Sequence, residues 1–126
     1  MKGEKIESFG DLEVYQRLCQ LHLEINDITL KFPQFELREL GSQLRRSSNS
    51  APANIAEGWN NRHIKIYLEG INRAMGELQE TLHHLNMAFR KRYLSKDDYE
   101  GYRSRYLESA KMLRGLERSL MGSRRD

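Results

Sequence analysis

The step Glu80-Thr81-Leu82-His83 is the first place in this sequence where residue types and spacing could do chemistry. A Glu-x-x-His pair projects a carboxylate and an imidazole from one helix. Two such pairs, with a glutamate from each of two further helices, build the di-metal sites of four-helix bundles. Here the step occurs once. At about 100° per residue, Glu80 and His83 lie roughly 140–200° from the core-facing Leu78, so both are expected to point outward. His83 and His84 then read as solvated or as subunit contacts. Cys19 is the single cysteine and follows Leu18 at the edge of an apolar stripe, where it reads as a small buried hydrophobe. No glycine-rich phosphate loop is present. Gly41, Gly70 and Gly76 stand alone inside helical patterns, each costing about 1 kcal/mol against alanine, and close approach of helices or subunits is their expected use. The expectation is a protein that is not an enzyme and that uses no metal and no cofactor.

Basic clusters are the other candidates. Arg45 and Arg46 sit in the second helical pattern, Arg62 and Lys65 open the third, Arg90, Lys91 and Arg92 close it, and Arg124 and Arg125 lie in the tail. Each cluster has an ordinary explanation, such as cations answering the dipole at a helix C-terminus. Collected on an oligomer, the same charges would multiply into a field able to hold phosphates. Tyr67, Tyr93 and Trp59 lie near these cations and could stack on bases. The net charge is +3, and its distribution is uneven: residues 1–61 carry seven bases and nine acids, residues 62–126 fourteen bases and nine acids. The second half is therefore the basic half.

These side chains need elements to hold them, and the apolar periodicity supplies four helices. Val14, Leu18, Leu21, Ile25, Ile28 and Phe32 repeat at alternating steps of four and three. That spacing predicts a helix over about 11–32, with Asp11 as N-cap and Pro33 after its end. Leu37, Leu40, Leu44, Ala51 and Ile55 predict a second over 35–57, with a kink near Ser48 to Ala51 where Pro52 removes a hydrogen bond, Ser47, Ser48 and Ser50 answering freed carbonyls, and Gly58 as the stop. Ile64, Leu68, Ile71, Met75, Leu78, Leu82, Leu85 and Phe89 predict a third over 63–92, about 45 Å long. Ser95 and Asp98 form a capping box opening a fourth, over 96–121, whose stripe is Tyr99, Tyr102, Tyr106, Ser109, Leu113, Leu116 and Leu120. Short connections make neighbouring helices antiparallel, so the expected fold is one all-α domain, an antiparallel up-down-up-down four-helix bundle. Residues 1–10 hold no apolar signal core and no run approaches a membrane span, so a cytoplasmic protein with no membrane partner is expected. The polar stretch holding Ser50, Asn54, Glu57 and Gly58 borders the second stripe. Its expected role is structural, a polar network that fixes helix register.

Gln43-Leu44-Arg45-Arg46 followed by Ser50-Ala51-Pro52-Ala53-Asn54-Ile55-Ala56-Glu57-Gly58 resembles the signature of the bacterial four-helix bundle proteins encoded in ribosomal RNA intervening sequences. Leu12-Glu13-Val14-Tyr15-Gln16, Phe32-Pro33, Gly76-Glu77-Leu78 and Tyr93-Leu94-Ser95 extend the likeness over about residues 9–120. The resemblance implies a ring-like homopentamer. A related branch, the accessory variability protein of diversity-generating retroelements, forms a basic pentameric barrel that binds nucleic acid and partners a reverse transcriptase. Arg45, Arg46, Ser50, Asn54, Glu57, Gly58 and Arg62 are the positions that match. Two segments depart from the pattern: Asn60-Asn61, where the family usually has glycine and often arginine, and Arg90-Lys91-Arg92, where it tends to apolar and glycine residues. The resemblance and the basic half together lead to the expectation of a homo-oligomeric accessory protein that binds RNA or an RNA/DNA hybrid through basic patches and could assist a reverse transcriptase. The alternative is a protein–protein scaffold that docks a polymerase-like partner with little nucleic-acid contact of its own.

Overall fold

The computed structural model describes residues 5–124, and side chains as far as residue 122. Four helices carry the chain: α1 Glu13–Thr29, α2 Leu40–Gly58, α3 Ile64–Arg90 and α4 Lys96–Arg124. No strand occurs among the described residues. Each helix touches two neighbours in a closed ring, α1–α2–α3–α4–α1, and no diagonal pair meets among the described residues. Contacts pair residues in opposite order along neighbours, as antiparallel helices do: Thr29 with Arg45 and His22 with Ser48, Arg46 with Glu80 and Gly58 with Gly70, Arg17 with Glu108 and Glu24 with Arg105. The core is the set of inward stripes, with Leu18, Ile25, Leu44, Leu85, Tyr106 and Leu113 completely buried.

Boundaries differ from the sequence expectation for local reasons. Asp11 caps a 3-10 turn, Phe9–Asp11, rather than α1: its carboxylate accepts from the backbone N–H of Glu7 at 2.9 Å and of Ser8 at 3.1 Å. α1 stops at Thr29 because the next three N–H groups tighten to three-residue bonds, the last from Phe32 to Thr29 at 3.1 Å, and Pro33 cannot continue a helix. α2 begins at Leu40, not 35, because residues 34–36 form a second 3-10 turn. α2 runs unbroken through Pro52. The Ser47 and Ser48 hydroxyls are used on Thr81, on His22 and on the Arg45 carbonyl. Gly58 is inside α2, and the left-handed residue of the following turn is Asn60, at φ 51°. Ser95 caps α4, with the Asp98 N–H donating to Ser95 Oγ at 3.1 Å.

The stripe on α3 is rotated from the expected one. Tyr67, Gly70, Ile71, Ala74, Leu78, Thr81, Leu85 and Ala88 are buried, while Ile64, Leu68, Met75, Leu82 and Phe89 are half-buried. Both sets follow steps of four and three, and they share Ile71, Leu78 and Leu85. The buried set wins because α3 meets α2 more extensively than any other helix, and small residues allow that approach. A Cβ built on Gly70 would lie 2.8 Å from the Asn54 carbonyl oxygen, and one on Gly58 would lie 3.1 Å from the Ile66 carbonyl and 3.3 Å from Gly70 Cα. Gly76 has open space around it, so no helix of the same chain approaches it.

The two glycines of α3 therefore separate. Gly70→Ala should destabilise the protein by about 2 kcal/mol, because backbone atoms cannot move aside. Gly76→Ala should stabilise it by about 1 kcal/mol through helix propensity. Urea unfolding of the two variants measures both signs.

The end of the bundle where α1 turns into α2 is held by one buried carboxylate. Glu36 is 3% exposed. It accepts from Lys91 Nζ at 2.9 Å, from the Tyr93 hydroxyl at 2.9 Å and from the Leu40 N–H at 3.3 Å. Phe32 packs on the Tyr93 ring at 5.2 Å. The Lys91 hydrogen bond lowers the Glu36 pKa most; burial pulls upward, and the Tyr93 and Leu40 donors add to the lowering. A depressed carboxyl contributes stability that is present above its unfolded value near 4.5 and is lost as pH falls through the folded value. Thermal melts from about pH 6 down to about pH 3 should therefore show Tm falling on the acid side. Glu36→Gln should melt lower at neutral pH and show a flatter acid limb. An acid limb of unchanged steepness would mean that other carboxylates carry it.

Candidate nucleic-acid interface

The nine cations expected to meet phosphate divide by what the fold does with them. Arg45 is turned inward and half-buried. Its guanidinium donates to Thr29 Oγ1 at 2.9 Å and to the Leu37 carbonyl at 2.5 Å, fastening the α1–α2 connection to α2. Lys91 is committed to Glu36. Arg46 stays exposed but bridges to Glu77 at 3.4 Å and to Glu80, which also meets His84 Nε2 at 3.4 Å. Arg62, Lys65, Arg90 and Arg92 are exposed, and none of them forms an ion pair among the described residues. Arg124 ends α4 with its side chain beyond the described ones, and Arg125 lies outside the described residues.

The free cations are not in one place. Arg62 and Lys65 stand at the start of α3 and Arg90 and Arg92 at its end, about 40 Å apart along a helix of 27 residues. Arg92 has a further property. The end of α3 is a Schellman closure, with the Arg92 N–H on the Phe89 carbonyl at 2.9 Å and the Tyr93 N–H on the Ala88 carbonyl at 2.8 Å. That closure puts Arg92 at φ 69°, a left-handed conformation where glycine is the usual occupant and a side chain costs about 1–2 kcal/mol.

The expected stacking aromatics are all engaged. Tyr67 is buried, Trp59 is half-buried against the core, and Tyr93 is held between Glu36 and Phe32. Periodicity within α4 could have revealed what the sequence reading missed: Lys111, Arg114 and Arg118 share one exposed face at steps of three and four. Arg105 and Arg17 are used between helices. Arg105 grips Glu24 with two bonds of 2.7 Å, and Arg17 pairs with Glu13 and Glu108.

The polar stretch on α2 does not form the expected network. Asn54 Nδ2 donates to the Ser50 carbonyl of its own helix at 2.9 Å, and Glu57 is exposed. A buried side-chain bond that does cross from α2 to α3 is the pair Ser47 and Thr81, at 2.8 Å. Asn54, Glu57 and Gly58 line a shallow groove with Ile66, Glu69, Gly70 and Arg73, and its volume of about 50 Å³ would hold little more than a few atoms. Glu80 and His83 give no metal geometry, since Glu80 is drawn to Arg46 and the His83 ring packs on His84 at 5.2 Å.

No helix among the described residues is long and apolar enough to cross a membrane. No curated protein matches the chain. Among solved structures, the chain is similar to a protein of unknown function from the S23 ribosomal protein family of Bacteroides thetaiotaomicron VPI-5482, known from a crystal structure at 1.70 Å resolution. The two share 23% identity and superpose with a TM-score of 0.72 over 82% of this chain and 97% of that one, a likeness of fold. The family model for the 23S rRNA-intervening sequence protein matches residues 10–115. A match over that much of the helical bundle, signature stretch included, places the chain in the 23S rRNA-intervening sequence protein family.

Proposed function

We propose that this chain is a non-enzymatic accessory protein of the cytoplasm that assembles as a homo-oligomer, a pentamer by the family resemblance, and binds RNA or an RNA/DNA hybrid through its exposed cations. The observation that carries the reading is the sorting of charge. Six acids, Glu13, Glu24, Glu36, Glu77, Glu80 and Glu108, are paired with Arg17, Arg46, Lys91, Arg105 or His84, while Arg62, Lys65, Arg90 and Arg92 face solvent without ion pairs among the described residues, as the exposed acids Glu57, Glu69, Asp97 and Asp98 also do. Copied around a ring, such cations supply the repeated positive sites that a phosphate backbone meets. A catalytic role has little to draw on, because Glu80 is paired, Cys19 is half-buried beside Tyr15, and His83 meets the His84 ring edge-on.

A second reading, a scaffold that docks a polymerase-like protein such as a reverse transcriptase, is favoured by one observation. Leu23 on the outer side of α1 and Leu30 just past its end, seven residues on, are 58% and 63% exposed. Apolar side chains so placed suit contact with another protein better than contact with phosphate.

Light scattering of the purified protein with a structured RNA tests the first reading. The mass should stand near five chains and rise on adding RNA, with affinity falling steeply as salt increases. Changing Arg90 and Arg92 together to glutamate should weaken binding and reduce the slope of log K against log salt by about 2, close to one unit for each phosphate no longer neutralised. A stable monomer indifferent to RNA at low salt would remove the reading and leave the scaffold.

A further inference from the structure

The most exposed large apolar side chain among the described residues is not on a helix. It is Phe35, 72% exposed, in the 3-10 turn between α1 and α2. Its backbone is held on both sides. Pro33 precedes it with φ −51°, and Glu36 follows it, buried and bonded to Lys91, Tyr93 and Leu40. A phenylalanine on a slack loop could fold back onto the core. This one is fastened where it cannot, so its ring is presented to solvent by the same contacts that close the end of the bundle.

The surroundings are cationic. Residues 30–40 and 89–96 hold six bases (Lys31, Arg38, Arg90, Lys91, Arg92 and Lys96) against two acids, Glu36 and Glu39, a net of +4 against +3 for the whole chain. Glu36 and Lys91 neutralise each other, so the excess is carried by the exposed side chains. The next acids along the chain are Asp27, exposed near the end of α1, and Asp97 and Asp98, which line a groove with Glu24 and Arg105 between α1 and α4. The two chain neighbours of Arg92, Lys91 and Tyr93, are the residues bonded to Glu36, which puts Arg92 beside the turn that carries Phe35. An arginine is kept there at φ 69° although glycine would relieve the strain.

We infer that this corner is a binding site for unpaired RNA, in which a base stacks on the Phe35 ring and the flanking phosphates meet Arg92 and the exposed Arg38 and Arg90. The inference rests on the nucleic-acid reading above and narrows it to single strands. A ring face accepts any base, which gives affinity without sequence preference, and a base paired in a duplex cannot offer its face. A partner of this chemistry accounts for both anomalies at once: a large ring left outside the core, and a cation in a glycine's conformation.

The test uses the full-length protein, a short single-stranded RNA carrying 2-aminopurine and an RNA duplex of the same length. Binding of the single strand should quench the 2-aminopurine fluorescence. Phe35→Ala should abolish that quench and weaken single-strand binding about tenfold, while duplex binding and the salt slope stay as in the wild type. The Tm should not change, because the ring is exposed. Arg92→Gly should weaken binding and lower the single-strand salt slope by about 0.7, with Tm unchanged or raised as the left-handed strain is relieved. If the wild type binds RNA but Phe35→Ala binds and quenches as it does, this inference falls and the general function stands. It also falls if Phe35→Ala shrinks the scattering mass, which would place the ring against another copy of the chain. An Arg92→Gly protein with lowered Tm would make Arg92 a structural residue and overturn its part. A wild type that binds neither RNA at low salt overturns the functional reading itself, and this one with it.

Discussion

The contact on which the rest of the bundle depends is the approach of α2 to α3 at Gly58 and Gly70. A Cβ added to Gly70 would lie only 2.8 Å from the Asn54 carbonyl, so the lack of side chains at Gly58 and Gly70 is what lets the two backbones pack directly on each other and fixes the helices there. That rigidity has consequences two turns and more away. It brings Ser47 against Thr81 inside the bundle and Arg46 against Glu77 and Glu80 at its edge. It turns the small residues Ala74 and Ala88 inward, and it leaves Met75, Leu82 and Phe89 half-buried, with Phe89 stacked on Tyr99 of α4. Close packing makes helix interfaces intolerant of even a methylene, so a stretch of small residues is itself a specification of geometry.

The second determinant is electrostatic. Glu36 is buried at the end of the bundle, and burying a carboxylate costs free energy unless it is paired and hydrogen-bonded. The chain meets that cost with Lys91, Tyr93 and the Leu40 N–H, groups drawn from two separate segments. The pairing joins the α1–α2 turn to the end of α3 and takes Lys91 out of its basic cluster. The same process acts on Arg45, whose guanidinium meets Thr29 and Leu37. Folding thus edits the list of cations. The surface field comes from those the core did not claim, and the family signature at Arg45 and in the Asn54 to Gly58 stretch reads as a signature of packing.

Much of the fold was legible. Four helices and their order follow from apolar steps of four and three, because a side chain's face on a helix depends only on its spacing. The side-chain cap at Ser95 and the outward direction of Glu80 and His83 follow from equally local rules. The start of α2 was not legible, because residues 34–36 choose a 3-10 turn only when Glu36 has partners to be buried with, and these lie 55 and 57 residues away. The rotation of α3 was hidden for a related reason. Two overlapping stripes share Ile71, Leu78 and Leu85, and the choice between them depends on how near α2 can come.

The candidate site shows the same division. Sequence alone determined that the chain carries a basic second half, that its catalytic constellations are incomplete and that its helices must bury four apolar stripes against one another, since composition and periodicity are properties of the chain. Only the tertiary structure decided which arginines and lysines meet solvent, that Tyr67, Trp59 and Tyr93 are engaged while Phe35 is presented, and that Arg92 occupies a left-handed position. The physical reason is that a charge or a ring is available only after the core has taken what it needs. That division is settled by contacts between residues far apart in sequence, which no local pattern records.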